Sequence, residues 1–421
     1  MSAPDSTLMR ILPIRIYVAE RSALLFHRPN IRKRVMNHYR RFLLATSFCS
    51  LSLYAQAQQE LQVTPQPPEV NAKGHILIDF HTGKVLAEGN ADTQLAPASL
   101  TKMMTSYIIG TEIKNGNIKP TDQVTISENA WSKKHGDSSK MFIEVGKSVS
   151  VEELNRGVII QSGNDACIAL AEHIAGTEGA FAELMNAHAK RLGMDSTHFT
   201  NSHGYPDPDL KTTARDMSKL SVALIRDVPE EYKIYSEKEY VFNGIKQYNR
   251  NGLLWDKSLN VDGIKTGHTS EAGYSLVTSA TKDGMRLISV VMGTESAKAR
   301  EAENKKLLTY GFRFFETFSP YKAGEEFAQQ RIWQGTKENI SLGVLAETPI
   351  TLARGQRKNL TADFKLSHEL IAPVKKGDVV GKVYLKLKDE DIAEYPLVAL
   401  EDIEQAGIFG RLVDMVKMKL Q

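Results

Sequence analysis

The 421-residue sequence predicts an α/β fold of the α+β kind: an antiparallel five-stranded sheet flanked by helices, then a small all-β domain and a terminal amphipathic helix. Three observations lead there. Short alternating apolar runs near residues 75–88, and again within 263–292, enclose a block of helical periodicity, so early and late strands share one sheet. After residue 323 the texture changes to short alternating runs separated by turn residues, which describes a second, sheet-built domain. The stretch 407–421 gathers Ile408, Phe409, Leu412, Val413, Met415, Val416 and Leu420 on one broad face, with Arg411, Asp414 and Lys417 opposite.

Taken in order, residues 1–57 form an N-terminal extension that includes a secretory signal. A basic start at Arg40 and Arg41, an apolar centre over 42–54 and Ala55-Gln56-Ala57 give the usual three regions. The signal begins at Met36, the expected true start, and Gln58 is the expected mature N-terminus. This extension also hides the charge of the rest. It holds nine Lys/Arg and two Asp/Glu, leaving 44 against 48 beyond it, so the body is slightly acidic and carries no footprint for nucleic acid. Cys49 leaves with the signal, and Cys167, alone in an apolar helical run, is expected in the core without a disulfide.

A proline-bearing lead-in over 58–71 precedes the main domain, 72–318. There a hairpin is expected over 75–88, helices over 151–160, 165–175 and 178–192, and a helix capped by Thr213. A polar loop is expected over 127–142, strands over 263–267, 274–281 and 285–292, and a helix over 305–318. The β-rich domain spans 319–402, with strands over 340–344, 349–353, 360–366, 379–387 and 394–400. The amphipathic segment, 403–421, is too short to cross a bilayer and suits a membrane surface, a helix that closes the β domain being the alternative.

Three constellations carry chemistry. Ser99 and Lys102, three residues apart at the opening of a predicted helix, share a face, which pairs a nucleophile with a base. The same spacing recurs at Ser279/Lys282 and Ser319/Lys322. The former lies in an alternating strand, where such positions diverge, and the latter is broken by Pro320. Ser162-Gly163-Asn164, between two helical patterns, can aim a hydroxyl and a carboxamide at one point. Alone it reads as an ordinary turn and cap. Lys265-Thr266-Gly267-His268 closes a strand-like run, where Gly267 lets a bound backbone approach like a further strand. The eleven histidines show no metal-ligand spacing, and His173, His188, His198 and His203 read as packing or surface residues. No metal or cofactor is expected.

In the order Ser-x-x-Lys, Ser-x-Asn, Lys-Thr-Gly, these motifs are the signature of penicillin-binding proteins and class A β-lactamases. With Pro97-Ala98-Ser99-Leu100-Thr101-Lys102, the run 249–255 and the run 260–269, the chain resembles the low-molecular-mass penicillin-binding proteins that are D-alanyl-D-alanine carboxypeptidases. The resemblance runs from about residue 70 to the C-terminus. It implies a penicillin-recognising serine hydrolase domain acting on the D-Ala-D-Ala end of peptidoglycan pentapeptides and acylated by β-lactams. It also implies a location in the periplasm, attached peripherally to the outer face of the inner membrane by the terminal helix.

By that resemblance Ser99 is the acylated nucleophile, Lys102 its base, and Ser162 and Asn164 the second wall of the cleft. Lys265 supplies positive charge, Thr266 binds the substrate terminus, and Ser99 and His268 offer N–H groups to an oxyanion. Arg300 lies near the terminal carboxylate. Two departures are a 127–142 loop a few residues shorter than the family's and a terminal helix without the aromatics often found at its end. A class A β-lactamase would need a deacylating glutamate, for which Glu183 with Asn186 is the nearest pair, and both fall within a predicted helix. A silent binding scaffold would not need every chemical position intact.

Overall fold

The computed structural model describes residues 64–420 apart from residue 137. The expected extension, signal and mature N-terminus lie outside the described residues.

The main sheet is built from both ends of its domain. Strands β1 (Gly74–Asp79) and β2 (Val85–Gly89) form the early hairpin. Between this hairpin and the late strands lies the helical block. It opens with a 3-10 turn (Ala98–Thr101) running into α1 (Lys102–Lys114), followed by the short strands β3 (Gln123–Thr125) and β4 (Ser148–Ser150). Next come α2 (Val151–Arg156), a π-helical turn (Gly157–Gln161), α3 (Asn164–Ala175) and α4 (Glu178–Arg191). Helix α5 (Ala214–Asp227) starts where expected, because the Thr213 hydroxyl accepts from the Asp216 amide. After α6 (Pro229–Tyr232) comes a hairpin that sequence reasoning missed, β5 (Glu239–Phe242) and β6 (Ile245–Tyr248). Asn243 and Gly244, with φ of 48° and 72°, make its turn.

Strands β7 (Asn260–Thr269), β8 (Gly273–Lys282) and β9 (Met285–Thr294) complete the predicted five-stranded antiparallel sheet, whose order is β2-β1-β9-β8-β7. Alternation along β1 places its two faces. Ile76 and Ile78 join the cluster holding Met103, Met217 and Leu220, whereas Leu77 joins Leu307 and Leu308 behind the sheet. The helix carrying those leucines, α7 (Ala297–Phe314), begins eight residues before the expected 305 and ends before 318. Its start is set by Ser296, which accepts from the Ala299 amide. The segment expected to finish that helix is instead a strand, β10 (Phe315–Phe318).

The second domain is a sheet in the order β11-β12-β16-β15-β14, made of β11 (Glu326–Arg331), β12 (Asn339–Gly343), β14 (Leu360–Leu366), β15 (Val379–Leu387) and β16 (Glu390–Ala399). Strand β13 (Ile350–Ala353) pairs with β10. The two domains meet at a buried polar knot. Asp79, fully buried, accepts from Thr317 at 2.7 Å and from Thr82, and Thr82 lies 2.7 Å from Thr351. Helix α8 (Ile408–Lys419) has no buried residue. It is least exposed along Arg411, Asp414 and Met418, and Asp414 ties it to the β domain, accepting from the Gln334 amide at 2.7 Å and pairing with Arg331 at 3.2 Å. Among the described residues no helix is long and apolar enough to cross a membrane.

Candidate active site

The site forms where α1, the π-helical turn and strand β7 converge. Ser99 sits in the 3-10 turn with Ala98 before it at φ 48°, so the chain turns sharply and lifts the hydroxyl into the cleft. Gly204 explains how closely the turn is packed. It has φ 88°, and a Cβ there would lie 1.8 Å from the Ala98 carbonyl oxygen, so only glycine fits. On the opposite side, a Cβ on Gly267 would meet the Pro97 carbonyl at 2.8 Å, which brings β7 against the nucleophile turn.

Lys102 lies beneath Ser99, 1% exposed. Its Nζ is 3.1 Å from Ser99 Oγ and donates to Asn164 Oδ1 at 2.7 Å and to the His203 carbonyl at 2.5 Å. No carboxylate neutralises it at hydrogen-bond range, and burial, with a smaller contribution from Arg250, pulls its pKa down to about 8.

The π-helical turn delivers the second group. It ends with Ser162 in the left-handed region at φ 67°, a wound turn of the kind found at functional sites. Ser162 Oγ receives a hydrogen bond from Lys265 Nζ at 3.0 Å, and Lys265 also donates to the Thr266 carbonyl. Burial first, then the charges of Lys102, Arg250 and Arg300, push Lys265 well below the ordinary lysine range.

Seven of the nine expected residues, Ser99, Ser162, Asn164, Thr266, Gly267, His268 and Arg300, line one cleft of about 680 Å³, while Lys102 and Lys265 form its floor. Sequence reasoning missed further members. Arg250 lines the cleft and donates to Ser139 Oγ at 2.8 Å, and Tyr274 lines it beside His268 and Arg300. Ser139 belongs to the 127–142 loop, whose end is clamped by Asp165. This buried carboxylate accepts from the amides of Met141, Phe142 and Ile143.

His203 is a correction, because it is neither surface nor mere packing. Its carbonyl holds Lys102, and burial beside that lysine drops its imidazole to about 3, so the ring is neutral. Its signal was the neighbouring glycine, Gly204, whose necessity only the close approach to Ala98 reveals. Glu183 is exposed on α4, and Asn186 is tied to the Phe199 backbone, so neither serves the cleft. Among the described residues no group of three His, Cys, Asp or Glu could hold a metal.

A serine whose hydroxyl touches a buried, charge-starved lysine, faced by a second serine on another lysine, is an arrangement able to support serine hydrolase chemistry. The comparisons agree with that class. The D-alanyl-D-alanine carboxypeptidase family profile matches residues 61–296, and that of the penicillin-binding protein 5 C-terminal domain matches 315–405. The chain is 50% identical over 386 residues to the D-alanyl-D-alanine carboxypeptidase DacA of Escherichia coli, covering 90% of this chain and 96% of that one. It is 50% identical over 380 residues to DacC of the same organism, covering 89% and 95%. Penicillin binding protein 5 from Haemophilus influenzae superposes with a TM-score of 0.76 at 50% identity, covering 81% of this chain and all of that one. The chain therefore belongs to the D-alanyl-D-alanine carboxypeptidase family of low-molecular-mass penicillin-binding proteins, and it is a serine-type peptidase open to acylation by β-lactams.

Proposed function

We propose that the enzyme trims the terminal D-alanine from peptidoglycan pentapeptide stems in the periplasm, held to the membrane surface by α8. The observation that carries the chemistry is the 3.1 Å contact between Ser99 Oγ and the depressed Lys102 amine. In this reading Ser99 Oγ attacks the penultimate D-alanine carbonyl and its proton passes to neutral Lys102 Nζ. The oxyanion is met by the Ser99 and His268 amides, an interaction worth roughly 3 kcal/mol per donor. The C–N bond then breaks and D-alanine leaves with a proton relayed through Ser162, whose hydroxyl is held by Lys265. Water hydrolyses the remaining ester. Asn164 has one amide end committed to Lys102, which leaves its Nδ2 for a substrate carbonyl. Thr266 and Arg300 receive the terminal carboxylate, and Gly267 lets the substrate backbone lie beside β7.

The membrane part is supported by the exposure of Phe409, Leu412, Val413 and Val416 on α8, with Lys417 and Lys419 beside them. The test of the chemistry is Ser99→Ala. Folded protein should no longer be labelled by penicillin and should release no D-alanine from a pentapeptide. Labelling at another serine would remove the assignment.

A further inference from the structure

We propose that Tyr274 is a positioning residue that aims Arg300 at the substrate's terminal carboxylate. This rests on the reading of Arg300 given above. Arg300 stands in the first turn of α7, almost wholly buried, with little to orient it. Among the described residues its guanidinium makes one hydrogen bond, from NH1 to the Gly267 carbonyl at 3.3 Å, and its buried Nε has no partner. A guanidinium so loosely bonded would swing about its long side chain unless a surface restrained it.

Tyr274 supplies that surface. The Arg300 guanidinium carbon lies 5.7 Å from the centre of the Tyr274 ring, within the range over which a cation is attracted to an aromatic face. The His268 imidazole stacks on the same tyrosine, with ring centres 3.9 Å apart and planes 27° apart. The stacking follows from the sheet register, which sets His268 on β7 directly opposite Tyr274 on β8. The main chain of Tyr274 is anchored, since its carbonyl accepts from Thr294 Oγ1 at 3.1 Å, and the His268 stack holds its ring. One ring thus meets both Arg300, assigned to the terminal carboxylate, and His268, whose amide is assigned to the oxyanion, and it lines the same cleft.

The consequence is specificity for a charged terminus. Tyr274 acts through Arg300, so its loss should be felt more strongly on substrates ending in a carboxylate than on the same peptides ending in an amide. The experiment compares kcat/KM for a peptide ending in D-Ala-D-Ala with that for its C-terminal amide, in the wild type and four variants. Tyr274→Leu should reduce the carboxylate preference, the ratio of the two kcat/KM values, roughly fivefold to tenfold, mostly through KM for the peptide that ends in a carboxylate. Tyr274→Phe, which keeps the ring, should retain the preference. Arg300→Gln should lose it, and adding Tyr274→Leu to Arg300→Gln should change it no further. Stoichiometric penicillin labelling shows that each variant is folded.

A wild-type preference in Tyr274→Leu, with Arg300→Gln impaired, overturns the proposal while sparing Arg300. Equal losses on both substrates in Tyr274→Leu also overturn it, since the ring would then serve only the fold. An unchanged preference in Arg300→Gln removes the carboxylate reading of Arg300, and the role of Tyr274 falls with it.

Discussion

Lys102 Nζ lies 2.7 Å from Asn164 Oδ1, so the lysine of the first motif and the carboxamide of the second are a single bonded unit. Asn164 carries no charge that would hold the lysine protonated, and the burial of Lys102 is what draws its pKa toward neutral.

The first prediction is a pH profile. Lys102 has its pKa lowered from 10.5 to about 8, so the free amine grows as pH rises through that value. The acylation rate with a penicillin should climb roughly tenfold per unit below pH 8 and level off above it. Lys102→Arg, which stays protonated, should acylate on the order of 100-fold more slowly at least. A flat profile from pH 6 to 9 would take Lys102 out of the base role. The same depression has a sign for stability. The folded chain holds fewer protons than the unfolded one between pH 8 and 10.5, so through Lys102 alone stability rises with pH across that window.

Gly204→Ala tests the turn behind the nucleophile. Its Cβ would lie 1.8 Å from the Ala98 carbonyl at a φ of 88°, and the neighbour it strikes is backbone that has no rotamer to change. We expect a loss of at least ~2 kcal/mol in urea unfolding together with reduced penicillin labelling. Near-normal values for both would mean that the turn tolerates displacement.

Asp165→Asn tests the loop clamp. An amide at this position offers one acceptor oxygen and turns an N–H₂ group toward amides that need acceptors, leaving buried donors unmet at a cost of about 1–3 kcal/mol. Hydrogen exchange at Met141, Phe142 and Ile143 should quicken, and with it the exchange of Ser139, whose hydroxyl meets Arg250. Unaltered exchange would show that the loop is held by packing of Met141 and Ile143 alone.

How much of this was legible in the sequence depends on the range of the cause. Ser99 with Lys102, the Thr213 cap and the alternation of β8 are local, and short-range pattern carries them. Strand β11 was missed because it is half-exposed throughout, so no apolar alternation marks it. The first turns of α7 were missed because Arg300, Glu303 and Asn304 are polar residues buried by the sheet they pack on, and Phe315 was given to that helix because its pairing partner, Ala353, is remote in sequence. Arg250, His203 and Tyr274 enter the cleft through approaches between distant segments. The hairpin turn at Asn243-Gly244 is different, since the local signal was present and was passed over.

The last prediction concerns α8. Its apolar face is centred opposite Asp414, the residue that clips the helix to the Gln334 amide and to Arg331, so docking on the β domain leaves Phe409 and Val416 pointing away from the protein. A twelve-residue helix is marginal by itself in water, and the clip supplies the tertiary contact that such a helix needs. The outward face can then enter the edge of a bilayer, with Lys417 and Lys419 adding about 1 kcal/mol each at an anionic surface. Truncation after Gln405 should shift the protein from pelleted membranes to the soluble fraction. D-alanine release from a soluble peptide should stay unchanged, because the cleft lies wholly in the first domain. Salt should weaken the attachment only in part, since the apolar share is unscreened. A truncated protein that still pellets, or one that loses activity on soluble peptide, would make α8 a structural piece of the fold rather than an anchor.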